Sequence, residues 1–235
     1  MIRRKFAVIG LGKFGFKLVE ELSKMGLEVL AIDNDSSAIE KVRNIASESL
    51  ILDAINKEAL EKSGVKEVDC AIVGMGKDME TNILVTTILK ELGIKEIIAR
   101  AENPLHAKIL RNVGANRVIF PEEDMAVRLA HAIHFPGVQE YIDISGPWDL
   151  AEFKVSSESK LIGKKIADIR SKLEEGINVL MVEREKGKIF NHEIKEEKEE
   201  RENIFPKDDY VIQGNDILIL FGRPENLEKF IKKIS

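Results

Sequence analysis

The sequence predicts an α/β protein: a doubly wound parallel sheet over the first half, then a smaller α+β domain. Three observations carry this. Short apolar runs alternate with amphipathic helical stretches through about residue 120, the pattern of βαβ units on a parallel sheet. A glycine-rich turn joins the first apolar run to the first helical stretch. Beyond residue 137 the alternation becomes irregular.

Taken in order, strands are predicted at Phe6–Ile9, Glu28–Ile32, Ser49–Leu52, Asp69–Val73, Glu96–Ala99 and Arg117–Phe120. Helices are predicted between them at Gly15–Met25, Ser36–Asn44, Lys57–Ser63, Asp78–Leu92 and Leu105–Asn112. Gly26, Gly64, Gly93 and Gly114 each follow a helical stretch, where a C-cap favours glycine. A further helix runs from about Glu123 to His134 and is stopped by Pro136-Gly137. Its apolar residues Met125, Val127, Leu129 and Ile133, with Phe135 just beyond, suit a helix that crosses to another surface such as a second subunit. Packing on its own sheet is the alternative.

In the second half, strands are expected at Tyr141–Ile144, Ala151–Val155, Ile177–Arg184 and Ile217–Phe221. A helix is expected near Lys165–Leu173, a turn at Glu185–Lys188 and a closing helix at Glu225–Ile234. The charged run from Glu193 to Glu202 reads as a solvated loop or frayed helix. The domains expected are 1–122 and 138–235, with 123–137 as the connecting helix.

Composition narrows the function classes. The 235 residues are 44 % hydrophobic and 33 % charged, which is globular rather than disordered. One cysteine, Cys70 in the apolar run Cys70–Val73, excludes an internal disulfide framework and reads as a buried thiol of a cytoplasmic protein. No run approaches the ~18 apolar residues of a membrane span, and the basic start at Arg3-Arg4-Lys5 reads as the lead into a strand, not a signal peptide. A net charge of −5 argues against a nucleic-acid partner.

The chemistry concentrates at Gly10-Leu11-Gly12-Lys13-Phe14-Gly15, a G-x-G-x-x-G turn directly after a strand and opening a helix. This is the Rossmann-type context: a tight turn, close backbone approach to a pyrophosphate, and free N–H groups at a helix start. Asp33, eighteen positions after Gly15, is placed to accept hydrogen bonds from ribose and disfavours a 2′-phosphate, hence NADP. Asn34, which follows it, is counted with the same nucleotide-binding edge. Asp53-Ala54 follows the third strand as a border for adenine, Gly74-Met75-Gly76 the fourth, Arg100 ends the fifth and Glu122 follows the sixth. All converge on the switch-point crevice. Lys13 supplies a cation for a terminal phosphate. His131 and His134 lie three apart on a helix, without an evident third metal ligand. No G-x-S-x-G elbow, H-E-x-x-H, Walker loop or C-x-x-C occurs. A small NAD-dependent oxidoreductase is the alternative reading, and a Rossmann-type redox-sensing repressor a third.

The run Phe6–Gly15, Glu28–Asp33, Gly114–Ile119 and Pro121–Met125, with Ile204-Phe205-Pro206 and Gly214-Asn215-Asp216-Ile217-Leu218, resembles the RCK (regulator of potassium conductance) family. In particular it is similar to the cytosolic regulatory subunits of Ktr/Trk-type potassium uptake systems. Asn215 is inserted where the family has Gly and Asp adjacent. The resemblance implies dimers joined into a ring, read as an octamer, on an integral-membrane potassium-transport subunit. It implies ATP or ADP, with NAD or NADH in some members, in the crevice. By the same resemblance Asp33 holds ribose, Asp53 and Ala54 border the base, and Arg100 lies near the phosphates. Glu122 matches a position that helps hold an activating cation. Lys13 stands where the family has a phosphate-sensing arginine, and lysine is a point charge rather than a fork. A C-terminal module that binds cyclic di-AMP or calcium in some members is implied in outline; Ile166 and Ile169 offer part of an apolar pocket, but the polar residues around them do not match.

Overall fold

The computed structural model describes residues 4–76, 78–144, 146–170, 176–191 and 196–234. The chain divides into two compact units, one ending at Pro121 and the other beginning at Glu122.

The first unit is a parallel sheet of six strands: β1 (Lys5–Ile9), β2 (Glu28–Asp33), β3 (Glu48–Ile51), β4 (Cys70–Val73), β5 (Glu96–Arg100) and β6 (Arg117–Ile119). Their order is β3-β2-β1-β4-β5-β6, so the winding reverses between β1 and β4. Strand pleating turns alternate residues of β1 to opposite faces. Ala7 and Ile9 join a core with Leu60, Val85, Leu89 and Leu110, from α3 (Lys57–Lys62), α4 (Met79–Glu91) and α5 (Pro104–Val113). Val8 faces the other way, onto Val19, Ile39 and Val42 of α1 (Lys13–Lys24) and α2 (Ser36–Val42). Helices therefore cover both faces, which is why β4 is apolar throughout and wholly buried. The predicted strands and helices of this unit all form, with ends moved by one or two residues. Cys70 is a buried free thiol, and burial pushes its pKa up to about 11.

The second unit opens with α6 (Pro121–His134), two residues longer at its start than predicted. None of its residues is buried, and Met125, Val127, Leu129 and Ile133 are exposed. Among its contacts within the unit are Arg128 to Glu140, at 2.9 Å, and His131 stacked on Tyr141. An antiparallel sheet follows, ordered β10-β9-β11-β8-β7, from β7 (Val138–Asp143), β8 (Asp149–Lys154), β9 (Asn178–Asn191), β10 (Glu196–Ile204) and β11 (Ile217–Gly222). Its inner face packs on Ile166 and Ile169 of α7 (Ile166–Arg170) and on Leu227, Ile231 and Ile234 of α8 (Pro224–Ile234). Residues 171–173 of the predicted helix lie outside the described residues, as does His192.

Two expectations in this unit are corrected. The turn at Glu185–Lys188 does not form; β9 continues through it, and the ladder shifts register between Glu200 and Arg201 to absorb an extra residue on the β9 side. That is a β-bulge. The charged run is not a loop from Glu196 onward but the edge strand β10, paired with β9; its first three residues lie outside the described set. Charge density suggested solvation, and an edge strand pairs its backbone on one side only, leaving the other without a strand partner.

The departure at Asn215 has a local cause. Asn215 adopts a left-handed φ of 68°, which asparagine tolerates better than most residues. It delivers Asp216, buried, to Arg184 Nε at 3.0 Å, the Tyr210 hydroxyl at 2.9 Å and the Gln213 N–H at 2.9 Å.

Candidate functional site

The three glycines of the turn differ in what the chain demands of them. Gly10 follows β1 with φ +89°, and a Cβ there would come 2.6 Å from Met75 Cγ. Gly15 admits no side chain, since a Cβ would lie 2.0 Å from the Gly10 carbonyl oxygen. Gly12 is different: its φ of −59° suits any residue, and nothing lies within 4 Å of a Cβ built on it. Packing within the chain accounts for Gly10 and Gly15 but not for Gly12.

Gly12 is also the N-cap of α1, with no side-chain cap. The first-turn donors of α2, α3, α4 and α5 are capped by Asp35, Asn56, Asp78 and Asn103. Helix α1 thus leaves its first-turn N–H groups without a side-chain acceptor and has no acidic residue in that turn, so its positive end is open to an anion. Lys13 lies at the same end, exposed and without an ion-pair partner among the described residues.

Asp33, last residue of β2, is fixed by the backbone. Its Oδ2 accepts from the Leu11 N–H at 2.6 Å and its Oδ1 from the Asp35 N–H at 2.8 Å. Each carboxylate oxygen can accept more than one hydrogen bond, so this anchoring leaves acceptor capacity for a hydroxyl pair. A cleft of about 560 Å³ opens here, lined by Leu11, Gly12, Lys13, Phe16, Asp33, Asp35, Ala38 and Lys41. Of these, Gly12, Lys13 and Asp33 are legible as site residues in the sequence. Leu11 is an unspecified position inside the motif and Phe16 directly follows it, whereas Asp35, Ala38 and Lys41 sit on or beside α2 without a motif of their own. Asp35 is also the α2 cap, and hydrogen bonds from the Ser37 hydroxyl and N–H hold its pKa below the ordinary carboxylate value.

The remaining expected residues lie at neighbouring strand ends. Gly74 donates its N–H to the Ile9 carbonyl at 2.8 Å, and a Cβ on it would lie 3.0 Å from the Gly10 oxygen and 3.5 Å from Phe14 Cδ1. Met75 packs onto Gly10. The Arg100 guanidinium rests on Gly76, 2.4 Å from where a Cβ would stand, and reaches Glu102 at 3.4 Å. The end of β4 is thereby joined to the glycine turn on one side and to the end of β5 on the other. Asn34 is exposed in the bend after β2. Asp53 is exposed and accepts from the Ile55 N–H, while Ala54 is buried in the core. None of Phe14, Asn34, Asp53, Ala54, Gly74, Met75, Gly76 and Arg100 lines the cleft itself. Glu122 stands in the first turn of α6, in the second unit. No group of three His, Cys, Asp or Glu able to hold a metal occurs among the described residues, and no helix among them is long and apolar enough to cross a membrane.

One residue that sequence reasoning missed binds these strand ends together. Asn82 of α4 is fully buried and donates to the Met75 carbonyl at 2.6 Å and the Arg100 carbonyl at 2.9 Å. No motif marks it, because its partners lie on two different strand ends.

Two family models match in order along the chain: the TrkA-N domain over residues 6–121 and the TrkA-C domain over residues 150–235. Ktr system potassium uptake protein C of Bacillus subtilis (strain 168) is 34 % identical over 99 % of this chain and 98 % of that protein. Ktr system potassium uptake protein A of the same organism is 31 % identical over 97 % and 95 %. Among solved structures, the GsuK RCK domain superposes with a TM-score of 0.64 at 18 % identity, covering 99 % of this chain and 48 % of that one. The GsuK channel bound to NAD superposes with the same score, covering 99 % and 40 %. This chain thus spans about half or less of those structures, and at such identity they speak to fold alone. The sequence relatives speak to descent: the chain belongs to the RCK family of TrkA-N/TrkA-C proteins that includes the Ktr system potassium uptake proteins.

Proposed function

We propose that this chain is the nucleotide-binding regulatory subunit of a potassium uptake system, gating ion flow rather than catalysing a reaction. The observation that carries the reading is Gly12: an open cradle at an uncapped helix N-terminus, beside a backbone-anchored Asp33. These residues fit an adenine nucleotide. Asp33 takes the ribose hydroxyls, the α1 N–H groups and Lys13 take the phosphates, and Asp53 and Ala54 border the base. Gly74, Met75, Gly76 and Arg100 form the far wall, and Asn34 completes the ribose edge. The ligand is ATP or ADP, or NAD or NADH; the NAD-bound state of GsuK, whose fold this chain shares, supports the dinucleotide.

The names of the sequence relatives support a membrane-embedded potassium-transport subunit as partner, with this chain peripheral to the inner face of the membrane. The unburied apolar residues of α6 support pairing of two copies, and pairs joined in a ring explain how weak ligand preferences become a switch. A tenfold preference for one ring shape supplies about 1.4 kcal/mol per site, and several coupled sites multiply that bias. The experiment is calorimetry of the purified chain with ATP, ADP, NAD and NADH, paired with potassium flux through the co-expressed membrane subunit. The expected result is unequal affinities with flux that follows the tighter ligands. Equal affinities with ligand-independent flux would overturn the reading.

A further inference from the structure

We infer that Asn82 is a positioning residue that sets ligand specificity, by holding in register the two strand ends that form the far half of the crevice. The inference rests on the nucleotide-binding reading above and goes beyond it, since Asn82 touches no part of the cleft. Its amide group donates to two backbone carbonyls, Met75 at 2.6 Å and Arg100 at 2.9 Å. Its Oδ1 accepts from the Thr86 hydroxyl one helical turn on, at 3.4 Å, which orients the amide so that both N–H groups face the strand ends. Asn82 and Thr86 are both fully buried, so water cannot replace these bonds.

Each carbonyl belongs to a residue at a strand end beside the cleft. Met75 packs onto Gly10, at the root of the glycine turn, and Arg100 lays its guanidinium on Gly76. Parallel strands β4 and β5 are paired from Cys70 and Glu96 as far as Val73 and Ala99; past that point the backbone has no ladder. Asn82 supplies the missing cross-link at the place where the sheet ends and the crevice begins. An adenylate seated on Asp33 and the glycine turn does not depend on it. Whatever extends beyond the adenylate, across the switch point toward the ends of β4 and β5, meets walls whose spacing Asn82 sets.

The test compares AMP with ADP and NAD by calorimetry on wild-type chain and on Asn82→Ala. Expected is a loss of at least about tenfold for whichever longer ligand the wild type binds, about 1.4 kcal/mol, with AMP affinity within about twofold. A purely structural role would weaken AMP and the longer ligands in parallel or leave both unchanged, and either result in a folded variant overturns the inference. Thr86→Val, which keeps shape but removes the orienting hydroxyl, carries the same expectation at smaller size and decides the matter if Asn82→Ala does not fold. A wild type that binds none of the three overturns the nucleotide reading itself, and this inference with it.

Discussion

Replacing Gly12 with alanine separates what the fold needs from what a ligand needs. In the chain by itself the substitution is close to neutral. Gly12 has an ordinary φ of −59°, and a Cβ would meet nothing within 4 Å. Stiffening the unfolded chain stabilises by about 0.4–1 kcal/mol, and alanine is a poorer N-cap than glycine by a comparable amount. The two contributions offset, so the melting temperature is expected to stay within about 3 °C of wild type. A ligand phosphate seated against the α1 N–H groups is a different matter. The new methyl occupies the space through which the backbone approaches it, and hydrogen bonds to a charged group contribute about 1.5–3 kcal/mol each. Losing one of them corresponds to roughly 10- to 150-fold in Kd at 1.4 kcal/mol per factor of ten. Calorimetry with ADP and NAD reads the affinity, and thermal melting without ligand reads the fold. Unchanged affinity in a well-folded Gly12→Ala protein would refute the argument that Gly12 is kept open for a ligand. A collapse in melting temperature would show instead that the fold requires this glycine.

Gly15→Ala is the control of opposite sign: its Cβ would lie 2.0 Å from the Gly10 oxygen, and overpacking against backbone costs about 1–3 kcal/mol or more, read as a lower melting temperature. Asp33→Ala leaves the Leu11 and Asp35 N–H groups without their carboxylate and is expected to weaken nucleotide binding at least about tenfold, with a stability loss of about 1–3 kcal/mol, measured by calorimetry and denaturant unfolding. Tyr141→Phe removes the hydroxyl that donates to buried Asp149; an unsatisfied buried acceptor costs about 1–3 kcal/mol, and the second unit should melt earlier while nucleotide affinity is unchanged. His106 is buried, its Nδ1 accepts from the Glu102 N–H, and burial holds its pKa below the usual value, with Glu102 partly opposing. Because the unfolded chain takes up this proton first, stability is full above the unfolded pKa of about 6.5 and falls as pH drops through and below it; His106→Gln should flatten the melting-temperature profile between pH 5 and 7.

The first unit was legible because its signals are local. The glycine turn, the strand before it and Asp33 lie within one βαβ stretch, and each βα junction carries its own cap. Asp35, Asn56, Asp78 and Asn103 do accept from the first turns of their helices. The second unit was less legible because its sheet is antiparallel and its pairings are distant. β11 joins β8 and β9 from far along the chain, and no periodicity announces such partners. The Glu196–Glu202 run shows the limit: composition reports a preference for water, not whether the backbone is paired. Phe205 is the converse, an exposed aromatic whose type alone would have placed it inside.

A residue identity that the chain's own packing explains carries no information about a ligand, however well it fits a motif. Gly10 and Gly15 satisfy the G-x-G-x-x-G pattern, yet Met75 and the Gly10 carbonyl already require them. The pattern gains functional weight only at Gly12, where no neighbour, no φ and no cap interaction demands glycine. Asn82 reverses the logic: it fits no motif, yet its two donated bonds tie together the ends of β4 and β5. Residues with unexplained freedom mark where a ligand goes, and residues with unexplained constraint mark what holds the site in shape. Gly12 and Asn82 are on opposite sides of the same switch point, one in the turn after β1 and the other behind the ends of β4 and β5. Substituting each in turn therefore probes ligand contact and site geometry separately, and loss of binding at Gly12 with loss of discrimination at Asn82 is the combined signature that a dinucleotide-type crevice requires.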